Sequence, residues 1–361
     1  MGGVDQGPLA YPRWDLPPIP VLDEPHAVFV AQADTAGRIG DTVVRQMLRR
    51  PHARAYFGGL WVAAAAVLLA FNGITGAVQA VFVIGISPVA ILAVRRQRVR
   101  SFTANAANFS GPGMTLAAKF GPDAMDIVSA QGYSRFRYAD LRAFFADRPD
   151  VVILHHGPIL TGYPRELFPD WAIELIRAGM RGESPVGSHR LPALSELPGT
   201  PQPSAVFVAT ADTAPQMAET YTRAILRTGT IAMAIVVGAV LLVGAIMLSP
   251  LLLVIGAVLA AIFGSLLLVT ATAGKRRLQA SFVLAMPPGQ LLATQFGAQA
   301  FDIHTATGFV RHRYSAVRSL RFHGPAVMLS AGLLMPYPRE LFPADMIAAI
   351  PTAAARTSPG R

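Results

Sequence analysis

Tyr163-Pro164-Arg165-Glu166-Leu167-Phe168-Pro169 and Tyr337-Pro338-Arg339-Glu340-Leu341-Phe342-Pro343 are the same heptapeptide, YPRELFP, within one chain of 361 residues. A match of that length does not arise by chance in a chain this size, so the protein reads as two copies of one module. Upstream of the heptapeptide, FGPDAMDIVSAQGYSRFRYADLRAFF from Phe120 aligns with FGAQAFDIHTATGFVRHRYSAVRSLRF from Phe296. Further upstream, AVFVAQADTA from Ala27 aligns with AVFVATADTA from Ala205. The offset falls from 178 residues (Ala27 to Ala205) to 174 (Tyr163 to Tyr337), so only small insertions separate the copies. Two repeats are too few for a solenoid, which needs at least three stacked units. They suggest a tandem pair, or a dimer fused into one chain.

Composition narrows the class. Hydrophobic residues make up 52% of the chain and charged residues 14%, against roughly 25% charged in soluble domains. That balance points to a membrane protein. The formal charge of +10 would suit a nucleic-acid partner, but only Lys119 and Lys275 are lysines, and many arginines flank apolar stretches where membrane topology accounts for them. No nucleic-acid partner is therefore expected. Cysteine is absent, which excludes disulfides and thiolate metal sites.

Each copy carries a long apolar stretch split by a short turn. Residues 56–71 and 74–94 flank Asn72-Gly73, and residues 230–248 and 251–272 flank Ser249-Pro250. About 20 apolar residues in a helix cross the roughly 30 Å hydrocarbon core, which predicts two transmembrane hairpins. Arg45, Arg49, Arg50 and Arg54 precede the first stretch, and Arg95, Arg96, Arg98 and Arg100 follow the second. Arg223 and Arg227 precede the third, and Lys275, Arg276 and Arg277 follow the fourth, while neither turn is charged. By the positive-inside rule both termini and both β domains lie in the cytoplasm. The stretches hold no Asp, Glu, Lys, Arg or His, which argues against an ion or proton path.

After each hairpin the pattern changes to short β-rich runs. In the first copy these are 101–109, 114–120, 124–130, 133–138, 141–146, 151–156 and 159–163. Turn signals such as Gly121-Pro122-Asp123 and Gly132 separate them. A helix over 170–178 closes the copy, and a helix over 344–350 closes the second. The fold class expected is therefore an α+β membrane protein of two repeats. Each repeat has a strand-helix lead, a two-helix transmembrane hairpin, and a small antiparallel β barrel or sandwich closed by a C-terminal helix.

That order of elements resembles the YcxB-like membrane proteins. Tyr138-Ala139-Asp140-Leu141 and Tyr314-Ser315-Ala316-Val317 look like the aromatic-led stretch of that family's β domain, with Tyr where the family tends to have Trp. Pro164–Phe168 and Pro338–Phe342 look like its proline-basic-aromatic stretch. The resemblance implies a pleckstrin-homology-like β domain and no catalytic residues, and the tandem duplication departs from the usual single copy.

The heptapeptide reads first as a corner: Pro164 ends a strand, Leu167 and Phe168 fill the mouth of the β domain, and Pro169 starts the helix. Its second reading makes Arg165 and Arg339 contacts for an anion, because guanidinium suits bidentate phosphate binding. Arg135 and Arg137 share one strand face, as do Arg311 and Arg313, so these six arginines are the candidate contacts for anionic lipid head groups or a protein partner. Asp126 and Asp302 match between copies and read as structural hydrogen-bonders. His155-His156 aligns with Ser330-Ala331 in the second copy, and His304, His312 and His323 have no counterparts in the first. They lack metal-ligand spacing. No phosphate loop, nucleophile elbow or carboxylate pair is present, so no enzyme, cofactor or metal is expected.

The domain plan runs as follows: a Pro-rich disordered tail at 1–25, strand and basic helix at 26–55, a hairpin at 56–94, and a β domain at 95–178. A linker at 179–203 leads to the second strand and helix at 204–229, hairpin at 230–272, β domain at 273–351 and a tail at 352–361. The function expected is a four-span integral protein of the cell membrane, multi-pass, acting as a non-catalytic interaction or regulatory module. Its partner is the lipid bilayer, and its two copies form an intrachain pseudo-dimer about an axis along the membrane normal. The alternative is a small transporter or channel gated by the β domains.

Overall fold

The computed structural model describes residues 15–49, 92–93, 95–156, 159–183, 191–224, 275–276, 278–331 and 333–348. The first copy opens with β1 (Ala27–Val30) and α1 (Thr35–Arg49). Apolar residues recur along α1 at helical spacing, and Ala36, Ile39, Val43 and Val44 face inward. At the start of this helix the Thr35 hydroxyl reaches back to accept the Gln32 N–H at 2.9 Å, as Thr213 accepts the Thr210 N–H at 2.9 Å in the second copy. Helix α2 covers residues 95–110. The stretch 101–109, expected as a strand, lies inside it. Phe102, Ala106 and Phe109 are spaced by four and three residues and all join the core, which is a helical period.

Six strands and a helix complete the copy: β2 (Thr115–Phe120), β3 (Ala124–Ser129), β4 (Gly132–Arg137), β5 (Leu141–Phe145), β6 (Val151–His156), β7 (Ile159–Pro164) and α3 (Asp170–Met180). The second copy repeats the order as β8 (Ala205–Val208), α4 (213–224), α5 (278–285) and β9 (Leu291–Phe296). It ends with β10 (Ala300–Thr305), β11 (Gly308–Arg313), β12 (Ser319–His323), β13 (Ala326–Ala331), β14 (Leu333–Pro338) and α6 (Ala344–Ala348). β5-β6-β7 and β12-β13-β14 form three-stranded antiparallel sheets. The core of the first copy packs Phe120, Met125 and Phe136 against Val152, Leu154 and Tyr163, with Ile173 and Ile176 of α3 and the heptapeptide's Leu167 and Phe168.

The remaining strands form one eight-stranded sheet, ordered β1-β2-β3-β4-β11-β10-β9-β8. The copies meet where β4 pairs antiparallel with β11, matching Ser134 with Gly308, Tyr133 with Phe309 and Gly132 with Val310. Because Gly132-Tyr133-Ser134 aligns with Gly308-Phe309-Val310, the pairing is isologous and a local two-fold passes between Tyr133 and Phe309. The ladder extends at both ends: the Arg135 N–H donates to Thr307 O at 2.8 Å and the Arg311 N–H to Gln131 O at 2.7 Å. Glycine is needed at this seam. Gly132 has φ +141° and Gly308 φ +124°, and a Cβ would stand 2.2 Å from Phe309 O in the first case and 2.1 Å from Tyr133 O in the second.

Two expectations are corrected. Among the described residues no helix is long and apolar enough to cross a membrane, so the four-span reading and the multi-pass location in the cell membrane that rests on it are withdrawn. The expected spans at 56–71, 74–94, 230–248 and 251–272 lie outside the described residues, apart from helical positions 92–93. That reading rested on hydrophobic content, and a high apolar fraction also serves a buried core. The separate β barrel or sandwich expected for each copy gives way to an α+β fold of three antiparallel sheets, the largest shared by both copies.

Gly308→Val should part β11 from β4, and calorimetry should then resolve two unfolding transitions where the parent chain shows one. Gly289→Ala is the contrast: Gly289 is left-handed (φ +81°) with nothing within 4 Å of its Cβ position, so it should cost only about 1–2 kcal/mol and leave unfolding cooperative.

Candidate functional site: a cleft between the copies

Side chains alternate across β4 and β11. Tyr133 and Arg135 face one side of the long sheet, and Ser134 and Phe136 face the other, as do Val310 and His312. On that inner side the two short sheets stand apart and leave a cleft of ≈ 230 Å³. Both copies wall it. Tyr163 and Tyr337, the first residues of the two heptapeptides, line it together with Phe136, His156, His312 and Ala331, and α2 adds Asn105 and Phe109. The heptapeptide therefore has two tasks. Its tyrosine faces the cleft, while Leu167 and Phe168, like Leu341 and Phe342, are buried in the cores.

The copies differ at two positions that line the cleft. Phe136 aligns with His312, and His156 aligns with Ala331. In the first copy the Phe136 and His156 rings meet edge to face at 5.5 Å. In the second, His312 lies at 5.3 Å from Phe301. Both ring nitrogens of His312 and Nε2 of His156 are buried without a hydrogen-bond partner among the described residues. Burial pulls His312, 8% exposed, down to about 4. It also lowers His156, against a pull upward from Asp140 and with a further push down from Arg142. Burial alone raises Tyr337 to about 12 and raises Tyr163 as well. All four groups are uncharged at neutral pH. Each neutral imidazole offers one donor and one acceptor, so the cleft can satisfy a small ligand that carries both. Among the described residues no cluster of three or more His, Asp or Glu could hold a metal ion.

The six arginines singled out in the sequence fall into symmetry-related pairs. Arg135 grips Asp126 through Nε and Nη2, each at 2.7 Å, and Arg311 grips Asp302 at 2.8 and 2.7 Å. The Tyr133 hydroxyl also donates to Asp126. Asp126 and Asp302 are buried, so these forks satisfy carboxylates inside the protein. Arg165 donates to Phe168 O and to the Asp170 carboxylate and fastens its own corner. Arg339 instead lies over the Phe322 ring at 5.6 Å. Arg137 and Arg313 are exposed at the ends of β4 and β11. Of the six, Arg135 lines the cleft, with its guanidinium engaged by Asp126. Sequence reasoning passed over His156, His312, Tyr163 and Tyr337. The available signal was His312 at an inward strand position where the first copy has Phe136.

His312 has its folded pKa below the ordinary 6.5, so between pH 6.5 and 4 the unfolded chain binds a proton that the folded chain refuses. Stability should fall as pH drops through that window, by on the order of 3 kcal/mol in total. His312→Phe should remove that part of the pH dependence in urea titrations at stepped pH. Asp302→Ala strands Arg311 and should cost about 3–5 kcal/mol, read as a lower urea midpoint. No family model matches this chain, and no curated protein or solved structure matches it either.

Proposed function

We propose that the chain is a non-catalytic binding protein, a tandem pair of modules that holds a small uncharged ligand in the cleft between its copies. The observation that carries this reading is the pair of neutral histidines, with Nε2 of His156 and both ring nitrogens of His312 unpartnered among the described residues, beside a cavity walled by both copies. An unsatisfied buried polar group costs about 1–3 kcal/mol, and such groups are rare enough in native proteins that a bound partner is a reason for keeping them. A volume of ≈ 230 Å³ is below the roughly 300–1,000 Å³ of sites for drug-sized molecules. It suits a single ring with one or two polar groups. The aromatic walls, Phe109, Phe136, Tyr163 and Tyr337, favour an aromatic or flat body. Charged ligands are disfavoured, because the one ionised residue among those described as lining the cleft, Arg135, is already engaged by Asp126 and cannot offset their desolvation. A place among the YcxB-like proteins belongs to this proposal too. It rests on the Tyr138 and Tyr314 stretches, whose hydroxyls tie back to Gly121 O at 3.0 Å and Gly297 O at 2.8 Å.

Benzamide, with one ring and one neutral donor-acceptor group, is the probe. Titrated into the full chain, it should shift the imidazole NMR signals of His156 and His312 saturably. Benzoate and benzylamine should bind at least tenfold more weakly. Ala331→Leu, which fills the cleft wall, should weaken benzamide at least tenfold. Saturable shifts that survive Ala331→Leu unchanged, or no shift with any neutral single-ring probe, would overturn the proposal.

A further inference from the structure

On the outer side of the eight-stranded sheet, two extended segments cross the seam. Residues 15–25 precede β1, and residues 191–204 precede β8. Each leads into its own copy's edge strand yet is held by the other copy. Pro17 O accepts from Arg311 Nη2 at 2.7 Å, and Ser195 O accepts from Arg135 Nη2 at 2.5 Å. Pro17 and Ser195 lie 178 residues apart, the offset that relates Ala27 to Ala205, so they are equivalent positions holding equivalent bonds. The two arms are exchanged about the local two-fold.

The equivalence extends to the side chains. The first arm reads Leu16-Pro17-Pro18-Ile19-Pro20 and the second Leu194-Ser195-Glu196-Leu197-Pro198. They share leucine, two variable residues, an aliphatic residue and proline. Ile19 and Leu197 both pack on the Tyr133–Phe309 pair at the seam, alongside the buried Leu22. Leu194 rests at Gly121, where a Cβ would come within 2.8 Å of it. Each site therefore combines an arginine donor for a backbone carbonyl, an aromatic platform for an aliphatic side chain, and a proline that holds the segment extended. Both arginines are held in place by their buried aspartates, so the donors are preorganised.

We infer that the outer sheet face carries two equivalent docking sites for an extended Leu-x-x-(Ile/Leu)-Pro peptide segment, filled in this chain by its own exchanged arms. The site reads one backbone carbonyl and two aliphatic side chains. A segment of that pattern supplied in trans is its external occupant, and it competes with a tethered arm whose effective concentration is in the millimolar range.

A fluorescent peptide of residues 15–25 tests this against three full-length chains: unaltered, Ile19→Asp and Ile19→Ala. The substituted arms should leave the site, so both variants should bind the peptide saturably and at least tenfold more tightly than the unaltered chain. A peptide with Asp in place of Ile19 should bind at least tenfold more weakly. Leu197→Ala, titrated with a peptide of residues 191–204, repeats the measurement at the second site and is independent of how the first arm's variants fold. Absence of saturable binding to both Ile19→Ala and Leu197→Ala, or equal affinity for the Asp-bearing peptide, overturns the inference.

Discussion

The backbone pairing of β4 with β11 is the interaction on which the other features depend. In either copy alone, β4 would end a four-stranded sheet with its hydrogen-bonding groups unsatisfied, an edge that invites uncontrolled pairing. Joining the two edges satisfies both at once and makes one sheet of eight strands. The same register fixes the distance between the two short sheets, so the inner cleft is a consequence of the seam. It also brings Tyr133 and Phe309 together on the outer side, where the arms cross. The tolerance is narrow because Gly132 and Gly308 each approach a carbonyl of the opposite strand to a distance that no Cβ could occupy.

The two faces of that sheet treat polarity in opposite ways. On the outer face Asp126 and Asp302 are buried but fully engaged, each by a forked arginine that also reaches a backbone carbonyl of an arm. Such a network adds specificity, since each buried carboxylate oxygen has a donor. On the inner face the ring nitrogens of His312 and Nε2 of His156 are buried and left unmatched among the described residues. The cores built around Phe120, Phe168, Phe301 and Phe342 can offset that cost, in the usual exchange of stability for a binding surface.

Much of this arrangement was legible in the residues, and the exceptions have physical causes. The repeat, the β-rich runs and the structural role of Asp126 and Asp302 followed from local pattern. The helix over 95–110 did not, because short apolar runs such as Phe102 to Phe109 fit either period until their partners are known. Pairing of β4 with β11 leaves no local mark, since GYSRFR and GFVRHR alternate in the same way at an edge or in the middle of a sheet. Gly132 and Gly308 read as turn residues, and their second role exists only in the presence of the opposite strand. The arms were assigned to tail and spacer for their proline content. Their packing depends on arginines 294 and 60 residues away in the chain, which composition cannot register.

Fusion of two copies also changes what a symmetric seam can hold. In a dimer of identical chains, every position near the two-fold appears twice. A histidine at the Phe136 position and another at the His156 position would place four imidazoles in one small cleft, and neither would place none. The fused chain has Phe136 and His156 on one side and His312 and Ala331 on the other. Each side thus contributes one imidazole from a different structural position, and the vacated volume at Ala331 becomes part of the cavity. The heptapeptide shows the opposite behaviour. Tyr163 and Tyr337 remain identical because each must both line the cleft and lead into a corner whose Leu and Phe seal a core. At the cleft, identity is kept where one residue serves the cleft and the corner together.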